Sequence, residues 1–143
     1  MIKYYDMSLI TNRVKDYMRM DFDKILKDNN FIYDTTDFES RFRQFTAANY
    51  CVGVSSGTAA LHLALEAIGI KPGDQVATVS HTFRATVAAI KYMGAEPVYV
   101  DIEKDTWNID SKLIQKAITK KTKLIMVVHQ LGFPADMKNI NKV

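Results

Sequence analysis

Val52-Gly53-Val54-Ser55-Ser56-Gly57-Thr58-Ala59-Ala60-Leu61-His62-Leu63-Ala64-Leu65 is the stretch on which the reading of the fold turns. A short β-branched run ends in two hydroxyl residues and a glycine, then passes without a spacer into an alanine- and leucine-rich helix. Such a junction leaves the first N–H groups of the helix unpartnered and sets the positive end of its dipole beside a small loop. Gly57 carries no side chain to keep a ligand from the backbone, and Ser55, Ser56 and Thr58 offer hydroxyl donors, so the loop suits a phosphate. A plainer reading stays open: Ser56 or Thr58 caps the helix and Gly57 permits the turn. The spacing matches neither the dinucleotide glycine fingerprint nor a nucleotide P-loop.

Downstream of this junction the pattern alternates. Tyr50 to Ser55 reads as a strand and Gly57 to Ile68 as a helix, stopped by Gly69 and the turn Pro72-Gly73-Asp74. Gln75 to Ser80 is the next strand, and Thr82 to Met93 the next helix, stopped by Gly94, with Phe83, Val87 and Ile90 on one face. Pro97 to Asp101 follows as a strand. Asp110 caps a helix whose stripe is Leu113, Ile114, Ala117 and Ile118, and Thr122 to Val128 is a long apolar strand. Strands that alternate with helices and read as continuous apolar runs predict an α/β fold, a three-layer α/β/α arrangement around a mostly parallel sheet. Ligands in such sheets gather beyond the carboxyl ends of the strands. Three loops fall there: Ser55 to Thr58, Ser80-His81-Thr82-Phe83 and His129-Gln130-Leu131-Gly132.

Upstream, Ile10, Val14, Met18, Phe22, Ile25 and Leu26 recur at helical spacing between Ser8 and about Asn29, which predicts an amphipathic helix docked on something. Tyr17, Met18 and Met20 read as packing residues. A second helix, Thr36 to Ala47, places Phe38, Phe42 and Phe45 on one side, with Asp37 and Glu39 suiting its dipole. The division expected is a helical segment over residues 1–35 and an incomplete α/β domain over 36–143.

At 143 residues and 48% apolar composition the chain can bury a core, and a net charge of +3 is too mild to suggest nucleic-acid binding. Lys120, Lys121 and Lys123 read as a solvated corner. The lone Cys51 fits a buried reduced thiol and a cytoplasmic setting. The segment Met1 to Asp6 lacks a signal peptide's apolar run, and nothing is long enough to cross a bilayer, so a soluble protein without membrane contact is expected. His62, His81 and His129 lack the neighbours that a metal site needs.

With the loops placed, the wording resembles the DegT/DnrJ/EryC1/StrS aminotransferases, pyridoxal-phosphate (PLP) enzymes that mostly aminate keto groups on nucleotide-linked sugars. The matches run in order from residue 38 to the end: Ser55 to Leu65, Pro72-Gly73-Asp74, His81 to Thr86, Gly94 to Asp101, Asp105-Thr106-Trp107-Asn108-Ile109-Asp110 and Gly132-Phe133-Pro134-Ala135-Asp136-Met137. The resemblance implies the amino-terminal part of the large domain of fold type I, the aspartate-aminotransferase-like PLP transferase fold, preceded by helices. It assigns Gly57, Thr58 and the Ala59 N–H to the cofactor phosphate and Phe83 to stacking on the pyridine ring. It gives His129 no direct chemical role. Phe31 to Thr36 stands where many members carry a glycine-containing loop, and Gln130-Leu131 replaces a more usual Leu-Tyr pair.

The family's Schiff-base lysine and its pyridine-pairing aspartate lie C-terminal to the segment ending at Met137, and the resemblance puts both beyond Val143. Lys71, Lys91 and Lys123 are not substitutes, lying in a turn, on a helix's outer side and at a strand's entry. The chain is therefore expected to contain no catalytic residue and to be an inactive portion of a longer homodimeric enzyme. That enzyme would take an amino group from a donor, glutamate, and give it to a keto-sugar nucleotide. The family also holds PLP-dependent sugar dehydratases, in which a histidine replaces the lysine, and a non-catalytic remnant or regulatory protein on the same scaffold is the reading from another class. The family's first strand is separated from the next three by later ones, so Tyr50 to Ser55 is expected to lack its neighbours.

Overall fold

The computed structural model describes residues 6–31 and 34–143, so the readings made on Met1 to Tyr5 and on Ile32 and Tyr33 lie outside the described residues. The chain divides into two compact units, Met1–Gly53 and Val54–Val143. The division falls later than the boundary expected after residue 35, because residues near the start of the second helix hold Gly53.

The first unit contains helices α1 (Ser8–Asp28) and α2 (Thr36–Thr46). α1 ends on Asn29 in the left-handed region at φ 50°, a conformation that asparagine tolerates. Neither helix has a buried residue, and the apolar stripe from Ile10 to Leu26 is formed at the expected spacing with its residues exposed. On α2, Phe38 stacks on Phe42 at 5.6 Å between ring centroids and Phe42 meets Phe45 at 6.5 Å. Glu39 Oε1 accepts the Gly53 N–H at 2.7 Å and the Thr35 hydroxyl at 2.8 Å. The Gly53 N–H above all, and then the Thr35 hydroxyl, hold the Glu39 carboxyl below its ordinary value.

The second unit runs α3 (Gly57–Ile68), β1 (Gln75–Thr78), α4 (Arg84–Tyr92), β2 (Glu96–Tyr99), α5 (Ser111–Ala117), β3 (Thr122–Ile125) and α6 (Met137–Ile140). The three strands are parallel in the order β2-β1-β3. The step from β1 to β2 moves one way across the sheet, and the step from β2 to β3 moves back past β1. Right-handed crossovers then require α4 and α5 on opposite faces. The packing agrees. Val76 of β1 packs with Leu65, Ala89 and Ile90 in one cluster, while its neighbour Ala77 packs with Ile109, Ile114 and Ile140 in the other. Leu124 and Met126 join the first cluster and Ile125 and Val127 the second, the two-residue period of a strand buried on both sides. Three layers result, as the sequence predicts.

Two readings are corrected. Tyr50 to Ser55 is not a strand: among the described residues no strand pairs with it, and without a ladder its backbone stays irregular, with Tyr50, Val52 and Val54 exposed. Phe83 does not share α4's buried face. It precedes the helix as its N-cap residue, and Ala85, Thr86, Ala89 and Ile90 form that face instead. Gly94, after α4, has φ +68° and an added Cβ would lie 3.1 Å from Pro72, so both conformation and space demand glycine there.

Candidate cofactor-phosphate site

α3 begins with two serines and a glycine because its first turn must be satisfied from outside. Ser56, in an extended conformation, caps the helix by accepting the Ala59 N–H on Oγ at 3.1 Å, and its carbonyl accepts the Ala60 N–H at 2.9 Å. The capping reading thus holds for Ser56, and Ala59 is engaged by it. The N–H groups of Gly57 and Thr58 remain, with no protein acceptor among the described residues. Gly57 contrasts with Gly94: its φ is not in the left-handed region, and an added Cβ would meet nothing within 4 Å. Neither backbone conformation nor protein packing calls for a glycine at 57. The space that its missing side chain leaves is open to a ligand.

The other half of the site follows from topology. α4, after β1, lies on one face of the sheet, and α6, after β3, lies on the other, so the crevice between the carboxyl ends of β1 and β3 is the switch point where ligands gather. Thr78, fully buried near that end of β1, fastens the two strands by donating its hydroxyl to the Met126 carbonyl at 2.9 Å. Phe83 stands on the β1 lip, 72% exposed. An aromatic ring so placed, and excluded from the core beneath it, is available to stack on a planar ligand. α3 reaches β1 through the short turn at residues 69–74, and α3 and α4 pack side by side, His62 meeting Tyr92 edge-on at 5.9 Å. Gly57 and Phe83 thus stand at the N-termini of two neighbouring helices.

The β3 lip is held chiefly by Asn108, to which the sequence reading gave no role. Asn108, 2% exposed, donates from Nδ2 to the Phe133 carbonyl at 3.1 Å and accepts the Gln130 N–H on Oδ1 at 2.8 Å, tying the loop after β2 to the loop after β3. His129 accepts the Ala135 N–H on Nδ1 at 3.0 Å, a structural task. Asp136 caps α6, and its carboxyl is lowered from its ordinary value chiefly by the Asn139 side chain and then by the Asn139 backbone N–H. His81 meets Trp107 edge-on at 5.4 Å. Asn108 entered the sequence reading only within the Asp105 to Asp110 match; a buried amide has no signature of its own.

Lys71 lies in the turn before β1, Lys91 in the last turn of α4 before β2, and Lys123 in the first half of β3. All three are exposed and stand towards the amino ends of the strands, away from Phe83. No group of three metal-ligating side chains occurs among the described residues, and no helix there is long and apolar enough to cross a membrane. The open backbone at Gly57 and the exposed ring of Phe83 fit a phosphorylated, planar cofactor such as PLP.

Comparison with known proteins bears on the family and the fold. The profile of the DegT/DnrJ/EryC1/StrS aminotransferase family matches residues 15–143. The UDP-2-acetamido-2-deoxy-3-oxo-D-glucuronate aminotransferase of Pseudomonas aeruginosa is 37% identical over 145 aligned positions, which cover 100% of this chain and 40% of that protein. Among solved structures, DesV of S. venezuelae superposes with a TM-score of 0.92 at 32% identity, covering 99% of this chain and 38% of that one. NtdA of Bacillus subtilis, solved with bound cofactor PMP, gives a TM-score of 0.86 at 34% identity, covering 92% of this chain and 30% of that one. The chain spans about two fifths of the length of the curated relative it matches.

Proposed function

The chain belongs to the DegT/DnrJ/EryC1/StrS aminotransferase family, and from that premise we propose that it is the amino-terminal part of a PLP-dependent sugar aminotransferase. The whole enzyme would carry an amino group from glutamate to a keto-sugar attached to a nucleotide, working as a cytoplasmic homodimer. The observation that supports this most directly is the glycine at 57, which neither its φ nor any described neighbour requires, beside two helix N–H groups with no acceptor among the described residues.

In this reading the N–H groups of Gly57 and Thr58 and the Thr58 hydroxyl bind the cofactor phosphate, helped by the dipole of α3. The Ala59 N–H joins them when the Ser56 hydroxyl turns away. Phe83 covers one face of the ring and keeps water from it. Thr78 ties β1 to the end of β3, and Asn108 fastens the β3 lip to the loop after β2. Bound PLP would supply an electron sink for the carbon that bears the transferred nitrogen. The described residues bring no lysine to the Phe83 end of β1, so residues 1–143 are expected to bind the cofactor's phosphate without turnover.

The test is amino transfer by the complete protein that carries this chain, supplied with PLP, glutamate labelled with nitrogen-15, and keto-sugars linked to UDP, dTDP or GDP. Label in an amino sugar is the expected result. Loss of water from the sugar without label would instead indicate the dehydratase. Absence of both reactions in a protein that binds PLP would overturn the proposal.

A further inference from the structure

The backbone from Asn49 to Ser55 leads out of α2 towards the cap of α3, and it has no strand beside it to supply a ladder. Among the described residues it makes a single hydrogen bond, in which the Gly53 N–H donates to Glu39 Oε1 at 2.7 Å. The residues around that bond are shaped to it. Thr35 is the N-cap residue of α2, where a threonine hydroxyl ordinarily accepts a helix N–H and contributes about 1 kcal/mol. Here it makes no capping bond and donates instead to the same Glu39 oxygen, at 2.8 Å. Gly53 is glycine for space and not for conformation: its φ is not left-handed, and an added Cβ would lie 3.2 Å from Glu39 Oε1 and 3.2 Å from Thr35 Cγ2. Both donors favour the ionised carboxylate, the Gly53 N–H more than the Thr35 hydroxyl, and a charged acceptor makes a bond about twice as strong as a neutral one.

Thr35, Glu39 and Gly53 thus form a latch, and its place gives it a use. Only Val54 and Ser55 separate Gly53 from Ser56, the residue that caps α3. Three residues of extended chain reach at most about 11 Å, so a backbone fixed at 53 limits where the first turn of α3 can stand. We propose that Glu39 is a positioning residue for the cofactor phosphate: its grip on Gly53 holds the Val54-Ser55-Ser56 backbone so that the N–H groups of Gly57 and Thr58 converge on one oxyanion. The proposal rests on the phosphate reading of the α3 N-terminus and adds which side chain outside the loop sets its geometry.

The test is cofactor binding by the complete protein, measured at equilibrium with PLP and with pyridoxal, the same ring without the phosphate. Glu39→Ala should raise the Kd for PLP about tenfold and change that for pyridoxal less than about twofold. Glu39→Gln, whose amide oxygen still accepts the Gly53 N–H, should bring PLP binding back to within about threefold of the natural protein. Gly53→Ala keeps the carboxylate but crowds it, and should weaken PLP in the same selective way. Arg41→Ala breaks an ion pair with Asp37 on the same helix without touching the latch, and should alter neither ligand. Circular dichroism confirms the fold of each variant, and should Glu39→Ala not fold, Gly53→Ala decides: a natural preference for PLP in it would overturn the proposal. Unchanged PLP affinity in folded Glu39→Ala, equal losses for PLP and pyridoxal, or the same loss in Arg41→Ala would overturn it as well. A natural protein that binds PLP no more tightly than pyridoxal would refute the phosphate reading and this proposal together, whereas a preference for PLP that survives Glu39→Ala would refute this one alone.

Discussion

α1 and α4 carry the same kind of message in sequence and meet different fates. Each has an apolar stripe at helical spacing, yet α4 buries Ala85, Thr86, Ala89 and Ile90, whereas α1 buries nothing. The difference teaches that periodicity tells which side of a helix is apolar and says nothing about what covers it. In residues 54–143 the cover is supplied by a parallel sheet between helices, each face of β1 feeding a separate cluster. In the first unit, Phe38, Phe42 and Phe45 cover one another in part and remain exposed.

The sharpest way to break this comparison is to cut into both regions and measure denaturant unfolding. Leu65→Ala, at a residue with no exposed surface, should cost about 2–5 kcal/mol. Phe45→Ala, at 87% exposure, should change stability by less than about 0.5 kcal/mol. Comparable losses at the two positions would mean that the first unit has a core of its own.

A smaller effect is expected where the second unit's order depends on one polar residue. Asn108→Ala strands the Gln130 N–H and the Phe133 carbonyl and should cost about 1–3 kcal/mol. Amide exchange should quicken first at Gln130 and its neighbours, and leave α3 protected. Uniform loss of protection would show that Asn108 supports the whole core and not the loop.

The smallest effect lies in the first unit. The Glu39 carboxyl is lowered below its ordinary 4.5 by the Gly53 N–H and the Thr35 hydroxyl. A group with a depressed folded value contributes stability that is fully present above its unfolded value and disappears as pH falls through the folded one. The Gly53 amide resonance should therefore hold steady from neutral pH to about 5 and move only under more acid conditions. In Glu39→Gln that movement should be absent; if it persists, another group holds Gly53.

Much of the second unit is readable from residues alone, and the reasons are local. α3 starts after its capping serine, Ser56, and stops at Gly69, Asp110 caps α5 by accepting the Lys112 N–H, and the strands stand where apolar runs meet turn signals. The misreading of Tyr50 to Ser55 has the opposite cause. A strand is a relation between two segments, and a β-branched run carries no trace of whether a partner is at hand. Helical spacing extends the stripe to Phe83 because the spacing also holds for the N-cap residue, whose extended backbone turns its side chain away from the helix's buried face. Asn108 and the left-handed Trp107 and Leu131 lie in loops, where identity alone indicates neither burial nor conformation.

The central claim is that the α3 N-terminus holds a phosphate on bare backbone. Phosphorus NMR of PLP added to the complete protein tests it, comparing the natural sequence with Gly57→Val. A shifted and broadened phosphate resonance that returns to the free position in the variant, with circular dichroism unchanged, is the expected result. The same bound resonance in both proteins would contradict the account, because a side chain at 57 would then stand where the phosphate is said to lie.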